Sequence, residues 1–153
     1  MLLLTWEEVM EDTARVGKEI QSSGFVPEYL VGITLGGLAP LLFLAKQLGI
    51  RNVLTIAANS YDNQNRRDLQ ILHMPNVDLT GKRVLLVDEI VDSGETMRVL
   101  TELLRERLGA TELKTAVVVK KEGSSFTPDF FARSTTEWVE FPWEKAAQGD
   151  VHV

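Results

Sequence analysis

Asp88 and Glu89 stand side by side at the end of the apolar run Val84-Leu85-Leu86-Val87, and the small polar sequence Asp92-Ser93-Gly94-Glu95-Thr96 follows. Adjacent carboxylates accept hydrogen bonds from sugar hydroxyls and supply the oxygen ligands that Mg²⁺ favours. The loop behind them combines a glycine, two hydroxyls and the backbone N–H groups that open the next helix, a set suited to surrounding a phosphate. Taken singly, each acid serves as well to solvate a loop, and Asp92 or Ser93 serves as well to cap the helix. A phosphoacceptor domain also places acids at strand ends, but it leaves D-S-G-x-T unexplained. The whole combination points to a sugar, its phosphate and a metal held together.

The flanking residues say what positions this motif. Residues 84–87 read as a buried strand, and Met97, Leu100, Leu103, Leu104 and Leu108 fall on one face of a helix over about 96–108, closed by Gly109. The motif therefore sits at the carboxyl end of a strand, where open parallel sheets bind ligands. Upstream, Thr5 and Glu8 form a capping box for a helix over 6–21. "YLVGIT" (29–34) reads as a strand that breaks at Gly36-Gly37, and the almost wholly apolar 37–49 reads as a deeply packed helix. Residues 52–58 and 113–121 read as further strands, and the polar stretch 59–70 leaves a loop and a hairpin both open. Strands alternating with helices imply an α/β domain with a mostly parallel sheet covered on both faces.

With 153 residues the chain suits one domain with a core of its own. Its net charge of -6 and pI near 5.0 argue against a nucleic-acid footprint, so a small ligand is expected and nucleic acid is not. No apolar run approaches the length of a membrane span, and "MLLL" is too short for a signal peptide. The absence of cysteine excludes thiolate metal sites and suits a reducing compartment, so the cytoplasm is the expected setting.

"VLLVDEIVDSGET" (84–96) resembles the phosphoribosyl pyrophosphate (PRPP) motif of the type I phosphoribosyltransferases. "SYDNQNRRDLQIL" (60–72) and "EWVEFPWE" (137–144) are similar to segments of their xanthine-guanine branch. The resemblance implies one phosphoribosyltransferase domain over 1–153, its twisted parallel sheet flanked by helices, with a flexible flap over 59–72 and a small purine-binding hood over 124–144. It implies Mg²⁺-dependent transfer of a phosphoribosyl group from PRPP to a 6-oxopurine (guanine, xanthine or hypoxanthine), and a homodimer or homotetramer. The roles it carries over fall on Asp88 and Glu89 for the ribose and Mg²⁺, and on Asp92, Ser93, Gly94, Glu95 and Thr96 for the 5-phosphate. Asp92 is also the candidate general acid/base at the purine. The turn Leu35-Gly36-Gly37 and Arg67 match the pyrophosphate contacts, and Lys120, Trp138 and Val139 match the purine contacts. The chain departs from the pattern at Leu35, where the xanthine-guanine enzymes carry an arginine. A phosphoribosyltransferase for another base and a non-catalytic PRPP sensor are the alternatives.

Overall fold

The computed structural model describes residues 1–63 and 66–147, with the side chains of 61–67 and 145–147 outside the described set. Its elements are β1 (Leu2–Leu3), α1 (Trp6–Ser23), β2 (Tyr29–Thr34), α2 (Leu38–Leu48), β3 (Val53–Asn63), β4 (Arg66–His73), β5 (Arg83–Val91), α3 (Glu95–Leu108), β6 (Glu112–Lys121), β7 (Phe130–Thr135), β8 (Val139–Glu140) and α4 (Pro142–Ala147). The main sheet runs β4-β3-β2-β5-β6-β7. Every neighbouring pair in it is parallel except β3 and β4.

The period-2 alternation of the central strands divides the core into two layers. Val31, Ile33, Val84 and Leu86 point to the side covered by Met97, Leu100 and Leu104 of α3. Leu30, Leu85, Val87 and Ala116 point to the side covered by Val16 and Ile20 of α1 and by Leu41 and Leu44 of α2. Gly32 lets α2 lie directly on β2, since a Cβ there would come within 2.5 Å of Leu41.

Helix α1 is fixed at its start by the expected capping box: Glu8 N–H donates to Thr5 Oγ1 at 3.1 Å, and Thr5 N–H donates to Glu8 Oε2 at 2.9 Å. Gly24, at φ 81°, ends it two residues later than the sequence indicated. The expectation of a deeply packed 37–49 helix needs correction. Only the stripe around Pro40, Leu41 and Leu44 is buried, whereas Leu38 and Leu42 are exposed, because α2 forms an outer layer with the sheet on one side. Of the two readings of 59–70, the hairpin is the one observed: Ser60 pairs with Leu69 and Tyr61 with Asp68.

Chain direction decides where a site can form. From β2 the chain passes through α2 to β3 on one flank, and from β5 through α3 to β6 on the other. The strand order therefore reverses between β2 and β5, the place where parallel sheets open a crevice. Pairing between these strands stops at Gly32–Val87, one residue before Asp88.

One polar contact ties the outer layer to the sheet. Asp12 of α1, almost fully buried, accepts hydrogen bonds from Arg133 of β7 and from Arg15. The arginines are partly exposed, so it is loss of an arginine that leaves the buried Asp12 carboxylate short of a partner. Arg133→Ala should lower unfolding free energy by about 2 kcal/mol in urea titrations, and adding Asp12→Ala should cost less than the sum of the single changes. Additive losses would show that the pair is not coupled.

Candidate active site

The crevice between β2 and β5 is lined by both halves of the motif. Asp88 and Glu89 stand at its floor, and residues 92–97 form a cup beside them, joined by Ser60, Asp68 and Leu69 from the hairpin, around a space of ≈ 200 Å³. The cup is built by chain geometry. Gly94 caps α3 at φ 96°, a left-handed conformation that glycine adopts without strain, and a Cβ there would come within 2.7 Å of Phe126. Ser93 Oγ accepts from Glu95 N–H at 3.2 Å, while the N–H groups of Thr96 and Met97, in the first turn of the helix, have no acceptor of their own within it. The carboxylate of Glu95 is paired with Arg98, which holds its pKa low and offsets its negative charge beside the cup.

Ser125 was not foreseen from the sequence. Its N–H and its Oγ both donate to the carbonyl of Ser93, at 3.0 and 2.8 Å, and so pin the cup from the β6–β7 connection. The link crosses 32 residues, and "GSSF" carries no local signal that would have revealed it.

The turn at 34–37 closes the crevice from the β2 side and includes a cis Thr34–Leu35 peptide. Gly37 is required sterically by the backbone around it, and Gly36 leaves room for the Glu89 carboxylate. A Cβ on Gly36 would lie 1.8 Å from Glu89 Oε2, and one on Gly37 would lie 2.5 Å from the Ile33 carbonyl and 3.0 Å from that of Val87. Gly37 N–H is used within the turn, on Ile33 O at 2.9 Å, so its contribution is close packing. Leu35 is 78% exposed and brings no charge.

Burial governs the electrostatics of the acid pair. Asp88 is held well above the ordinary carboxylate pKa, first by loss of hydration and then by the neighbouring charge of Glu89, although it accepts from Glu89 N–H at 2.8 Å. Burial raises Glu89 from 4.5 to about 7, against the opposing effect of a hydrogen bond from the Trp143 indole. Among the described residues no basic side chain offsets either acid.

A second cleft of ≈ 130 Å³ adjoins the first and shares Glu89, Ile90 and Asp92 with it; Lys121, Trp138, Val139, Phe141 and Glu144 complete its walls. Trp138 is 70% exposed, whereas the next residue, Val139, is buried. Lys121 Nζ donates to the carbonyls of Thr136 and Glu137. Lys120, the lysine singled out from the sequence, is half-buried on β6 and does not line this cleft, because successive side chains of a strand point to opposite faces.

The segment carrying Trp138 is held by the chain's own start: β1 pairs with β8, Leu2 N–H donates to Trp138 O at 2.7 Å, and Leu4 N–H donates to Glu140 O at 3.0 Å. Arg67 belongs to β4 by its backbone, but its side chain is outside the described set.

Comparison with known proteins agrees with this arrangement. Residues 3–148 match the family model of the phosphoribosyl transferase domain. The xanthine-guanine phosphoribosyltransferase of Chromohalobacter salexigens is 31% identical over 142 residues, covering 92% of this chain and 82% of that protein. A purine phosphoribosyltransferase of Pyrococcus horikoshii superposes with a TM-score of 0.85 at 30% identity, over 93% of each chain. The xanthine-guanine-hypoxanthine phosphoribosyltransferase of Helicobacter pylori superposes with a TM-score of 0.86 at 28% identity, over 97% of this chain and 96% of that one.

The raised pKa of Glu89 has a thermodynamic consequence with a definite sign. The native state binds its proton more tightly than the unfolded chain does, so this stability is fully present below pH 4.5 and is lost as pH rises through about 7. Glu89→Gln removes the titration while keeping an acceptor for Trp143. The ligand-free variant should exceed the parent by on the order of 2–3 kcal/mol at pH 8 and match it near pH 4.5. A difference independent of pH, measured by denaturant unfolding, would contradict the assignment.

Proposed function

Because the chain belongs to the phosphoribosyl transferase family, we propose that it transfers the 5-phosphoribosyl group of PRPP to a ring nitrogen of guanine, xanthine or hypoxanthine, releasing pyrophosphate, as a step of purine salvage. The observation that carries this reading is the shared wall of Glu89, Ile90 and Asp92 between the cup and the aromatic cleft. A phosphorylated sugar in one and a flat base in the other would meet at Asp92. Turnover needs that closeness, since holding two reactants in contact removes much of the entropic barrier.

In this mechanism the carboxylates of Asp88 and Glu89 accept from the ribose hydroxyls, and the cup of residues 92–96 holds the 5-phosphate by backbone N–H groups and the hydroxyls of Ser93 and Thr96. Where a bound cation keeps the two acids ionised, their negative charge would also favour the positive charge that develops on the sugar as pyrophosphate departs. The Leu35-Gly36-Gly37 turn approaches the departing anion closely. Since Leu35 carries no charge, Arg67 from the flap is the cation assigned to it. Trp138 stacks on the purine, the main chain of Val139 reads its edge, and Asp92 exchanges a proton with the purine N7. Resemblance gives the 6-oxo group to Lys120, but since Lys120 lies off the cleft, Lys121, which lines it, is the lysine assigned to that group here. An ammonium donates and does not accept, which favours an oxo group there over an amino group.

The acid pair suits Mg²⁺ as the cofactor. Mg²⁺ is commonly held by one or two carboxylates together with substrate oxygens and water, and a buried pair without a cation favours the arrival of one. Among the described residues no cluster of three or more His, Cys, Asp or Glu forms a fuller cage. When bound, the ion neutralises charge on the diphosphate and sugar oxygens. A single domain over 1–153 with a flap at 59–72 and a hood at 124–144, a cytoplasmic setting, and assembly as a homodimer or homotetramer belong to the same proposal.

The test is formation of nucleoside monophosphate and pyrophosphate from PRPP and Mg²⁺ with guanine, xanthine, hypoxanthine, adenine, uracil and orotate in parallel. Turnover is expected with 6-oxopurines, and Asp92→Asn should lower kcat by about a hundredfold or more, the scale of general acid–base catalysis. No turnover of any base by folded protein that binds PRPP would sink the salvage reading in favour of a PRPP sensor.

A further inference from the structure

The indole of Trp143 reaches the acid pair from the far end of the chain. Its Nε1–H donates to Glu89 Oε2 at 3.1 Å, across 54 residues of sequence. The same carboxylate also lies against the glycine turn, so close that a Cβ on Gly36 would fall 1.8 Å from Oε2 and 2.1 Å from Oε1. Glu89 is thus gripped between an N–H donor and a backbone wall.

Packing fixes the direction in which the indole points. Its ring is stacked on that of Phe141 at 4.8 Å and 7°, and it meets Trp6 of α1 at 5.6 Å and 59°. Phe141 is itself buried, and its N–H donates to Glu144 Oε2 at 3.2 Å. Two residues before Phe141, β8 is held to the chain's start by β1. An indole N–H is also a fitting donor for this position. It satisfies one acceptor site of the carboxylate without cancelling its charge, and leaves Oε1 and the remaining lone pairs to a ligand.

We propose that Trp143 is a positioning residue: its N–H, aimed by the Phe141–Trp143–Trp6 cluster, clamps Glu89 against the Gly36 turn in the orientation that receives the ribose of PRPP. The clamp joins the segment that carries Trp138 and Val139 to the sugar site, so the order of that segment contributes to PRPP affinity before any purine binds. This rests on the reading of Glu89 as a PRPP contact.

Trp143→Phe keeps a ring for the stack and removes the donor. The KM for PRPP should rise about tenfold, the size of one hydrogen bond to a charged group, while the KM for guanine stays within about twofold. In a Glu89→Ala background the same change should add nothing, because the acceptor is gone. A role in packing alone would lower stability and leave this split absent. An unchanged KM for PRPP, a rise confined to the purine KM, or equal effects in both backgrounds would overturn the clamp.

The native chain provides a second readout that does not depend on the variant's folding. The Nε1–H resonance of Trp143 should shift when PRPP and Mg²⁺ are added without purine, and no shift would count against the proposal. If the parent turns over no base, which overturns the proposed function alone, calorimetric Kd values for PRPP give the same comparison. A tenfold weakening in Trp143→Phe then supports the clamp, an unchanged Kd overturns it, and absence of PRPP binding by the parent overturns both readings.

Discussion

The structure depends on keeping two strands apart at one point. β2 and β5 pair as far as Gly32 and Val87, and then the turn at 34–37 folds back over the gap, placing Gly37 against the carbonyls of Ile33 and Val87 and Gly36 against Glu89. The gap exposes Asp88 and Glu89 to a crevice while burying them from bulk water, which raises both pKa values. Among the described residues no cation stands beside the two acids, an unfavourable arrangement in a folded domain. The surrounding elements can be understood as supports for that gap: two layers of helices hold the sheet, Ser125 pins the cup of residues 92–97, and the first strand secures the aromatic segment.

The parts legible in the sequence were those whose meaning lies within a dozen consecutive residues. "VLLVDEIVDSGET" specifies strand, acids, cup and helix start in order, so the position of Asp88, Glu89 and residues 92–96 at one strand end followed from local rules. The capping box at Thr5 and Glu8 formed as its spacing required, for the same reason. The crevice itself was anticipated because alternating strands and helices force a parallel sheet, and such a sheet opens at its switch point.

Contacts made across long sequence separations were not legible. Trp143 and Glu89, Ser125 and Ser93, and β1 and β8 are each joined by folding alone, and nothing in their neighbourhoods marks the partner. Trp143 and Phe141 pack as a stack, and the same stack aims a donor at the site. The lysine pair shows a different limit. A strand turns successive side chains to opposite faces, so the identity of the residue in the cleft depends on a register that composition does not encode. Apolar content likewise overstated the burial of α2, since a helix on the outside of a sheet needs only one apolar stripe.

The account joins three regions: an acid floor, a phosphate cup and an aromatic cleft that meet at Asp92. The measurement that tests this most directly is a crystal structure of the chain with Mg²⁺ and PRPP. The account predicts the ribose hydroxyls on Asp88 and Glu89, the 5-phosphate inside residues 92–96, and the pyrophosphate against the turn at 35–37, with the reactive sugar carbon facing the Trp138 cleft. A PRPP molecule seated elsewhere, or held with its phosphate outside that cup, would contradict it.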